Sequence, residues 1–336
     1  MNILLTSVGR RTYMINYFKE ALKDSKGKVF ASNSVDTYAL HQADSYTLTP
    51  AIYSDKYIDY LIGYCQDNEI SLIISLFDID LPILAKNKDI FKKNNINVMV
   101  SDSDVTDICN DKWKAFDFFT QHGIKTPKTY IELSKAKFEL ESGELNFPVI
   151  IKPRWGMGSI GIYKADSLDE LNVLYSKVRN EIESSYLRFE SKVDIEYAIL
   201  IQECIQGDEY GIEIINDLDK NYVTTLCKKK IAMRSGETDQ AMTLKDEKLE
   251  SIGKAISSSL GHISILDADC LEKNGDYYVL EMNARFGGQY PFSHLAGANV
   301  PKQVIDWYEG KNTDTALLTI EANVLCSKDI IPVRNI

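Results

Sequence analysis

The run Tyr277-Tyr278-Val279-Leu280-Glu281-Met282-Asn283-Ala284-Arg285 sets an acid, an amide and a guanidinium at alternate positions of an otherwise apolar stretch. Alternate side chains of a β-strand share a face, so Glu281, Asn283 and Arg285 are expected to point the same way. Three such groups are costly to bury without partners. A hard divalent cation answers that cost, because Mg²⁺ takes a few oxygens from protein and the rest from phosphate and water. Arg285 beside it suits charge developing on a transferring phosphoryl group. Asp267 and Asp269 lie upstream, also two apart, and Lys273-Asn274-Gly275-Asp276 between the two runs is a hairpin signal. Folding that hairpin brings Asp267 or Asp269 beside Glu281. The plainer alternative is a salt-bridge cluster at a strand end. Gly287 and Gly288 follow at once and let backbone pass close to a ligand.

A second candidate is Gly156-Met157-Gly158-Ser159-Ile160-Gly161, which follows the apolar strand Pro148–Lys152. Its G-x-G-x-x-G spacing continues into a strand pattern instead of a helix, so a dinucleotide site is disfavoured, and no Gly-Lys-Ser/Thr follows for a P-loop. Two readings remain: a hairpin whose bare N–H groups fold over phosphates, or an ordinary turn beside a surface lysine. Lys152 stands ready to place an ammonium there, and Arg154 adds charge. Further on, the strand Leu200–Ile205 runs into Glu209. Its free backbone edge suits an adenine and the later carboxylate suits ribose hydroxyls, although alone it reads as an acidic β-hairpin.

Substrate-binding candidates are fewer. Arg10 and Arg11 follow the first strand, at the edge where open α/β sheets bind ligands, and either suits a carboxylate or simply a helix start. Lys228, Lys229, Lys230 and Arg234 cluster in a chain of net charge -11, as a cleft lining or as a basic surface loop. Asp78 and Asp80 suit an amine, or are helix-start carboxylates. His294 reads as a packing residue.

The elements that must carry these groups follow from periodicity. Ile3–Thr6, Val29–Ala31, Leu72–Leu76 and Asn97–Val100 are apolar runs separated by helical patterns, which implies a parallel sheet covered on both faces. Asp55 is expected to open the helix that carries Leu61 and Cys65. Asp111 to His122 reads as a helix stopped by Gly123, and Ser167-Leu168-Asp169-Glu170 is a capping box. From Tyr197 antiparallel strands dominate, broken by a helix through Leu249, Ile252, Ile256 and Leu260. The expected division is 1–100, 101–195 and 196–336, within a mixed α/β and α+β class. Leu317 to Leu325 reads as strand.

The 38 Lys+Arg against 49 Asp+Glu argue against a nucleic-acid or anionic-membrane surface. No apolar run of about 18 residues predicts a membrane span. Six scattered cysteines, without C-x-x-C, fit a reducing, cytoplasmic setting and no disulfide framework or zinc site.

In order, Asp111-Lys112, Lys152 with its glycine loop, Gln202-Glu203-Cys204-Ile205 with Glu209, the Asp267/Asp269 pair and Glu281-Met282-Asn283-Ala284-Arg285-Phe286-Gly287-Gly288 resemble the ATP-grasp superfamily. The nearest look is to the ATP-grasp unit of the carbamoyl-phosphate synthase large subunit and its stand-alone carboxylate–amine ligase relatives, over about residues 1–310. The resemblance implies a Rossmann-like pre-ATP-grasp domain followed by two lobes that clasp ATP. It implies that Lys112 and Lys152 contact phosphates, that Gly156, Gly158, Ser159 and Gly161 form a flap, that Glu203, Cys204 and Ile205 bind adenine and that Glu209 binds ribose. Mg²⁺, or Mn²⁺ in its place, would be held by Glu281, Asn283 and an acid of the preceding strand, Asp269 preferred over Asp267. Arg285, Lys152 and Arg234 would be catalytic, and Arg10, Arg11, Asp78, Lys230, Gly287 and Gly288 would face small-molecule carboxylate and amine substrates. The implied activity is an ADP-forming carbon–nitrogen ligase working through an acyl phosphate. A carboxylase or phosphotransferase on the same fold, or a non-catalytic nucleotide sensor, is the alternative. Carbamoyl-phosphate synthase itself carries two synthetase halves, so a single ligation is expected here. Stand-alone members often form a homodimer.

Overall fold

The apolar runs of the first hundred residues form five parallel strands: β1 (Asn2–Thr6), β2 (Val29–Asn33), β3 (Ser45–Leu48), β4 (Ile70–Ser75) and β5 (Asn97–Met99), in the order β3-β2-β1-β4-β5. The computed structural model describes residues 1–334 apart from Met157 and Ser159. Because the sheet is covered on both faces, its strands are apolar at consecutive positions. Ile3, Leu5, Leu72 and Ile74 enter one core layer, and Leu4, Phe30, Ile73 and Val98 enter the other. Two features escape the sequence pattern. Strand β3 is a largely exposed edge, and a helix Ser103–Asn110 precedes the helix Lys112–Gln121. The helix expected to open at Asp55 starts at Tyr57 without a side-chain cap.

The next sheet is antiparallel and has four strands, β6 (Thr129–Tyr130), β7 (Val149–Pro153), β8 (Tyr163–Ala165) and β9 (Ile199–Glu203), ordered β6-β9-β7-β8. Helix Leu168–Ser184 packs over it. Ser167 Oγ accepts from Glu170 N at 3.3 Å, and the Glu170 carboxylate accepts from Asp166 N, one residue earlier than a standard capping box. Strand β9 pairs with β6 and β7, so the chain passes to the last sheet only between Glu203 and Asp208, later than the 195/196 division expected.

The last sheet is fully antiparallel: β10 (Asp208–Asn216), β11 (Tyr222–Arg234), β12 (Glu237–Leu244), β13 (Ile265–Lys273), β14 (Asp276–Asn283) and β15 (Leu325–Ser327), in the order β14-β13-β10-β11-β12-β15. The expected tail strand Leu317–Leu325 is instead a 3₁₀ turn, Thr315–Leu318, and a link into β15. One face carries Ile212, Ile214, Cys227, Ala268, Cys270 and Val279 against helix Glu247–Leu260. Gly253 of that helix is required by the packing, since a Cβ would sit 2.2 Å from Thr225 Oγ1. The other face is polar. Paired positions there bring Gly211 opposite Lys228 and Glu213 opposite Asp267, and Lys230 of β11 reaches Glu209 of β10.

The β13–β14 hairpin turns through Asn274 and Gly275, both at positive φ (56° and 81°), as a tight two-residue hairpin turn requires. From the turn, the ladder runs in step as far as Cys270 opposite Val279. A bulge then leaves Leu280 unpaired, after which Asp269 faces Glu281 and Asp267 faces Asn283. That extra residue puts Glu281 on the polar face.

Among the described residues no helix is long and apolar enough to cross a membrane. All six cysteines are free thiols.

Candidate active site

Asp269 and Glu281 stand opposite each other on the polar face, and Lys230 reaches in from β11. Its Nζ lies 2.8 Å from Asp269 Oδ1 and 2.8 Å from Glu209 Oε1. Burial works against this ammonium, but the two carboxylates more than offset it and hold its pKa up. Burial pushes Asp269 up, with Asp267 and Glu281 adding and Lys230 opposing. Glu281 would also be pushed up by burial, but Lys112, Lys152, Lys230 and Arg285 together hold its pKa below the ordinary value. Four cations from separate elements therefore converge on one carboxylate.

Lys112 starts its helix, which Asp111 caps by accepting from Trp113 N and Lys114 N. Lys112 Nζ donates to the Gly156 carbonyl and lies 3.8 Å from Glu281 Oε2, which ties the glycine loop to the acidic hairpin. Lys152, on β7, is 6% exposed and donates to Gln202 Oε1 at 2.8 Å. Burial drives its pKa down to about 8, Glu281 opposing and Lys112 reinforcing. Gly156 needs its φ of 123°, and a Cβ there would lie 2.6 Å from Leu187 Cδ2. Gly158 and Gly161 also adopt positive φ, whereas Ser159 lies outside the described residues.

Arg285 lies beyond the end of β14, and its guanidinium spans two units of the chain. It donates to Asp267 Oδ2 at 3.0 Å and, through Nη2 and Nε, to Asp78 Oδ2 at 2.8 and 3.2 Å. Asp267 is thus committed to Arg285 and to Gln289 Nε2, while Asp269 meets Glu281 across the ladder. Gly287 is obligatory here: a Cβ would lie 2.2 Å from Asp267 Cγ. Gly288 is only partly buried, with Lys328 Nζ beside it.

The donor set suits a hard cation. Asp269, Glu281 and Asn283 offer oxygen, and the Glu281 and Asn283 side chains have no hydrogen-bond partner among the described residues. No three His, Cys, Asp or Glu side chains form a ready-made cage among those residues.

Several expected site residues are placed elsewhere. Arg11 donates through Nη1 to the Leu76 and Phe286 carbonyls, at 2.7 and 3.0 Å, and so ties the loop after β4 to the segment after β14. Arg10 is exposed. Arg234 sits at the open tip of the β11–β12 hairpin and pairs with Asp239, away from the converging cations. The lysine cluster divides by strand alternation. Lys228 is fully buried against Glu213 at 2.9 Å, and Lys229 turns to Asp208 on the opposite face from Lys230. Asp80 is consumed by hydroxyls from Thr6, Ser7, Tyr57 and Ser75, which leaves it no room for an amine. Arg154 is not a phosphate ligand either, because it makes a two-bond fork with Asp111, at 2.8 and 2.7 Å. Glu203, Cys204 and Ile205 lie where β9 leaves for β10. The Glu203 carboxylate folds back onto Lys128 N, Cys204 is partly buried and Ile205 is buried. His294 stacks on Tyr17 with centroids 3.6 Å apart, a packing role.

Asp111 and Gln202, named in the motif strings without a role of their own, hold Arg154 and Lys152 in place, and Gln289, just after the Gly287-Gly288 pair, joins the site without any advance signal.

Comparison with known proteins identifies the family and the fold. The ATP-grasp domain family matches residues 109–289, and the PylC-like N-terminal domain family matches residues 3–99. The chain belongs to the ATP-grasp family. Among curated relatives, the arginine-specific carbamoyl phosphate synthase large chain of Bacillus subtilis is 21% identical over 69% of this chain and 22% of its own length. Coenzyme gamma-F420-2:alpha-L-glutamate ligase of Methanococcus maripaludis is 29% identical over 59% of this chain and 65% of its own. Alpha-aminoadipate–LysW ligase LysX of Sulfurisphaera tokodaii is 27% identical over 54% of this chain and 61% of its own. The matches therefore span less than two thirds of each of these relatives. The fold is shared with an L-amino acid ligase from Bacillus licheniformis, with TM-score 0.74, 19% identity, and coverage of 99% of this chain and 81% of that one. It is shared equally with a biotin carboxylase from Campylobacter jejuni, with TM-score 0.73, 20% identity, and coverage of 96% and 74%.

Proposed function

We propose that this chain is an ATP-dependent carboxylate–amine ligase that releases ADP and phosphate. The observation that carries the reading is the convergence of Lys112, Lys152, Lys230 and Arg285 on Glu281, beside unpartnered oxygen donors. Such a site is built for a polyanion and for phosphoryl transfer, in which positioning and electrostatics supply nearly all the catalysis. The two relatives named as ligases support the carbon–nitrogen bond as the product.

In the proposed reaction a substrate carboxylate oxygen attacks the γ-phosphorus, and the bond to ADP breaks with its electron pair leaving on ADP. The amine nitrogen then attacks the acyl carbon, phosphate departs, and the nitrogen loses its proton. Lys152 and Lys112 hold phosphate oxygens, and Gly156, Gly158 and Gly161 bring backbone over them. Glu203, Cys204 and Ile205 seat the adenine between the two antiparallel sheets, and Glu209 takes the ribose. Arg285 neutralises the transferring group from the side of Asp78. Mg²⁺, held by Asp269, Glu281 and Asn283, would supply charge neutralisation on the phosphates.

The test is ADP release from the full chain with ATP, Mg²⁺ and panels of acids and amines. Turnover is expected only when both an acid and an amine are present, and Glu281→Gln should lower it at least 100-fold. AMP as the product, or near-normal rates in Glu281→Gln, would reject the scheme. ADP release supported by bicarbonate without an amine would favour a carboxylase instead.

A further inference from the structure

Thr129, Gln202 and Lys152 form one buried polar row across three strands of the four-stranded sheet. The register sets Thr129 of β6 directly opposite Gln202 of β9. Ile150 of β7 faces Gln202 from the other side, and Lys152 stands one diagonal step further along. Diagonal neighbours remain within reach of long side chains. Val149, Ile151, Ile199 and Ile201 alternate to the opposite face and enter the core with Leu171 and Val178 of helix Leu168–Ser184.

Each bond in the row has a fixed direction, because an ammonium only donates and a carbonyl only accepts. Lys152 Nζ donates to Gln202 Oε1 at 2.8 Å. Gln202 Nε2 donates to Thr129 Oγ1 at 2.8 Å, and Thr129 Oγ1 donates to the Pro127 carbonyl at 2.9 Å. The single hydroxyl proton is spent on Pro127, so towards Gln202 the threonine oxygen can only accept. That requirement decides which end of the amide faces Lys152. With the amide turned over, Nε2 would meet the ammonium donor to donor, and Thr129 would have to desert Pro127 to satisfy Oε1. Buried polar groups would then be left without partners at both ends of the row. Gln202 Oε1 is the one hydrogen-bond acceptor of Lys152 Nζ among the described residues. An ammonium carries three donors, so two remain for phosphate oxygens.

We infer that Thr129 is a positioning residue for the nucleotide: by accepting from Gln202 it fixes the polarity of the amide and so holds the Lys152 ammonium on one acceptor, with two donors free for the triphosphate. This rests on the reading that places the triphosphate at Lys152. Thr129 itself touches no reacting atom. Strand β6 is two residues long and lies at the edge of its sheet, and its task is then to carry this hydroxyl.

The probe is the β,γ-methylene analogue of ATP with Mg²⁺, titrated calorimetrically into the full chain at pH 8 in two buffers of different ionisation heat. Thr129→Val removes the hydroxyl at nearly constant shape, and Thr129→Ser keeps it. Thr129→Ala stands beside the valine variant as a control for crowding by its second methyl. The valine and alanine variants are expected to bind the analogue at least threefold more weakly. They should also take up more protons on binding than wild type, because an ammonium deprived of its acceptor loses its proton more readily in the free protein. The serine variant should match wild type in both. Gln202→Glu supplies the sharper background: both ends of a carboxylate accept, no polarity has to be set, and adding Thr129→Val there should change neither affinity nor uptake. Equal affinity and uptake in Thr129→Val, a serine variant as weak as the valine one, or the same loss from Thr129→Val in the Gln202→Glu background would each overturn the role. Lys152→Met with undiminished affinity would remove the triphosphate from Lys152, and this role with it. Weakening in Lys152→Met with none in Thr129→Val would overturn the role of Thr129 alone and leave the nucleotide reading standing.

Discussion

Replacing Lys152 with Met tests the electrostatics of the site most directly. The ammonium is 6% exposed, and burial lowers its pKa from 10.5 to about 8, a displacement worth about 3 kcal/mol against the charged form. Because the folded-state value lies below the unfolded one, that penalty is complete below pH 8 and fades as pH rises towards 10.5. A triphosphate beside Lys152 would restore the ordinary value, so ATP binding should draw in a proton wherever the free protein has lost one. The uptake attributable to this residue is about half a proton at pH 8 and about one tenth at pH 7. Calorimetry at pH 8 in two buffers of different ionisation heat, comparing wild type with Lys152→Met, measures it. The variant should bind ATP at least tenfold more weakly. Without nucleotide it should be more stable by about 2 kcal/mol, being relieved of the burial penalty but leaving Gln202 without its donor. Equal proton uptake in both proteins, or unchanged ATP affinity in the variant, would refute the placement of the triphosphate at Lys152.

Three further outcomes follow from contacts already described. Lys228→Met leaves Glu213 buried without its cation and should cost about 3–5 kcal/mol in denaturant unfolding, most of it recovered in the double variant with Glu213→Gln. Arg11→Ala frees two buried carbonyls and should lower stability by about 1–3 kcal/mol, whereas exposed Arg10→Ala should leave the unfolding midpoint where it is. Gly156→Ala forces a side chain onto Leu187 at a strained φ, and should raise the KM for ATP severalfold while unfolding stays cooperative; an unchanged KM would remove the loop from the nucleotide site.

The parts that could be read in advance are those where neighbours in sequence decide the outcome. Consecutive apolar positions in β1 and β4 announced a sheet covered on both faces, and the run from Glu281 to Gly288 announced the family. What could not be read depends on distant partners. Arg285 and Asp78 are 207 positions apart, and nothing local to either signals that they meet. Lys228 and Lys230 share a face yet have different fates, because Glu213 is sealed under Ser293 while Glu209 opens towards the cleft. Strand β3 was missed because an exposed edge lacks the apolar signature, and the tie Arg11 makes between two loops was hidden because its partners are backbone carbonyls, which leave no trace in residue identity.

A strand has two sides and nothing between them, so a surplus residue inverts everything beyond it unless a bulge absorbs it, as happens at Leu280. Were the ladder to close regularly over that leucine, Leu280 would take the place opposite Asp269, Met282 would turn to the polar face, and Glu281 and Asn283 would sink beneath the helix Glu247–Leu260. The oxygen donors would be lost although none of their residues had been altered. In this hairpin, phase is as much a functional attribute as identity: excising Leu280 would leave Glu281 opposite Asp269, whereas excising Met282 would turn Asn283 to the buried face and be a graver lesion than most substitutions around it.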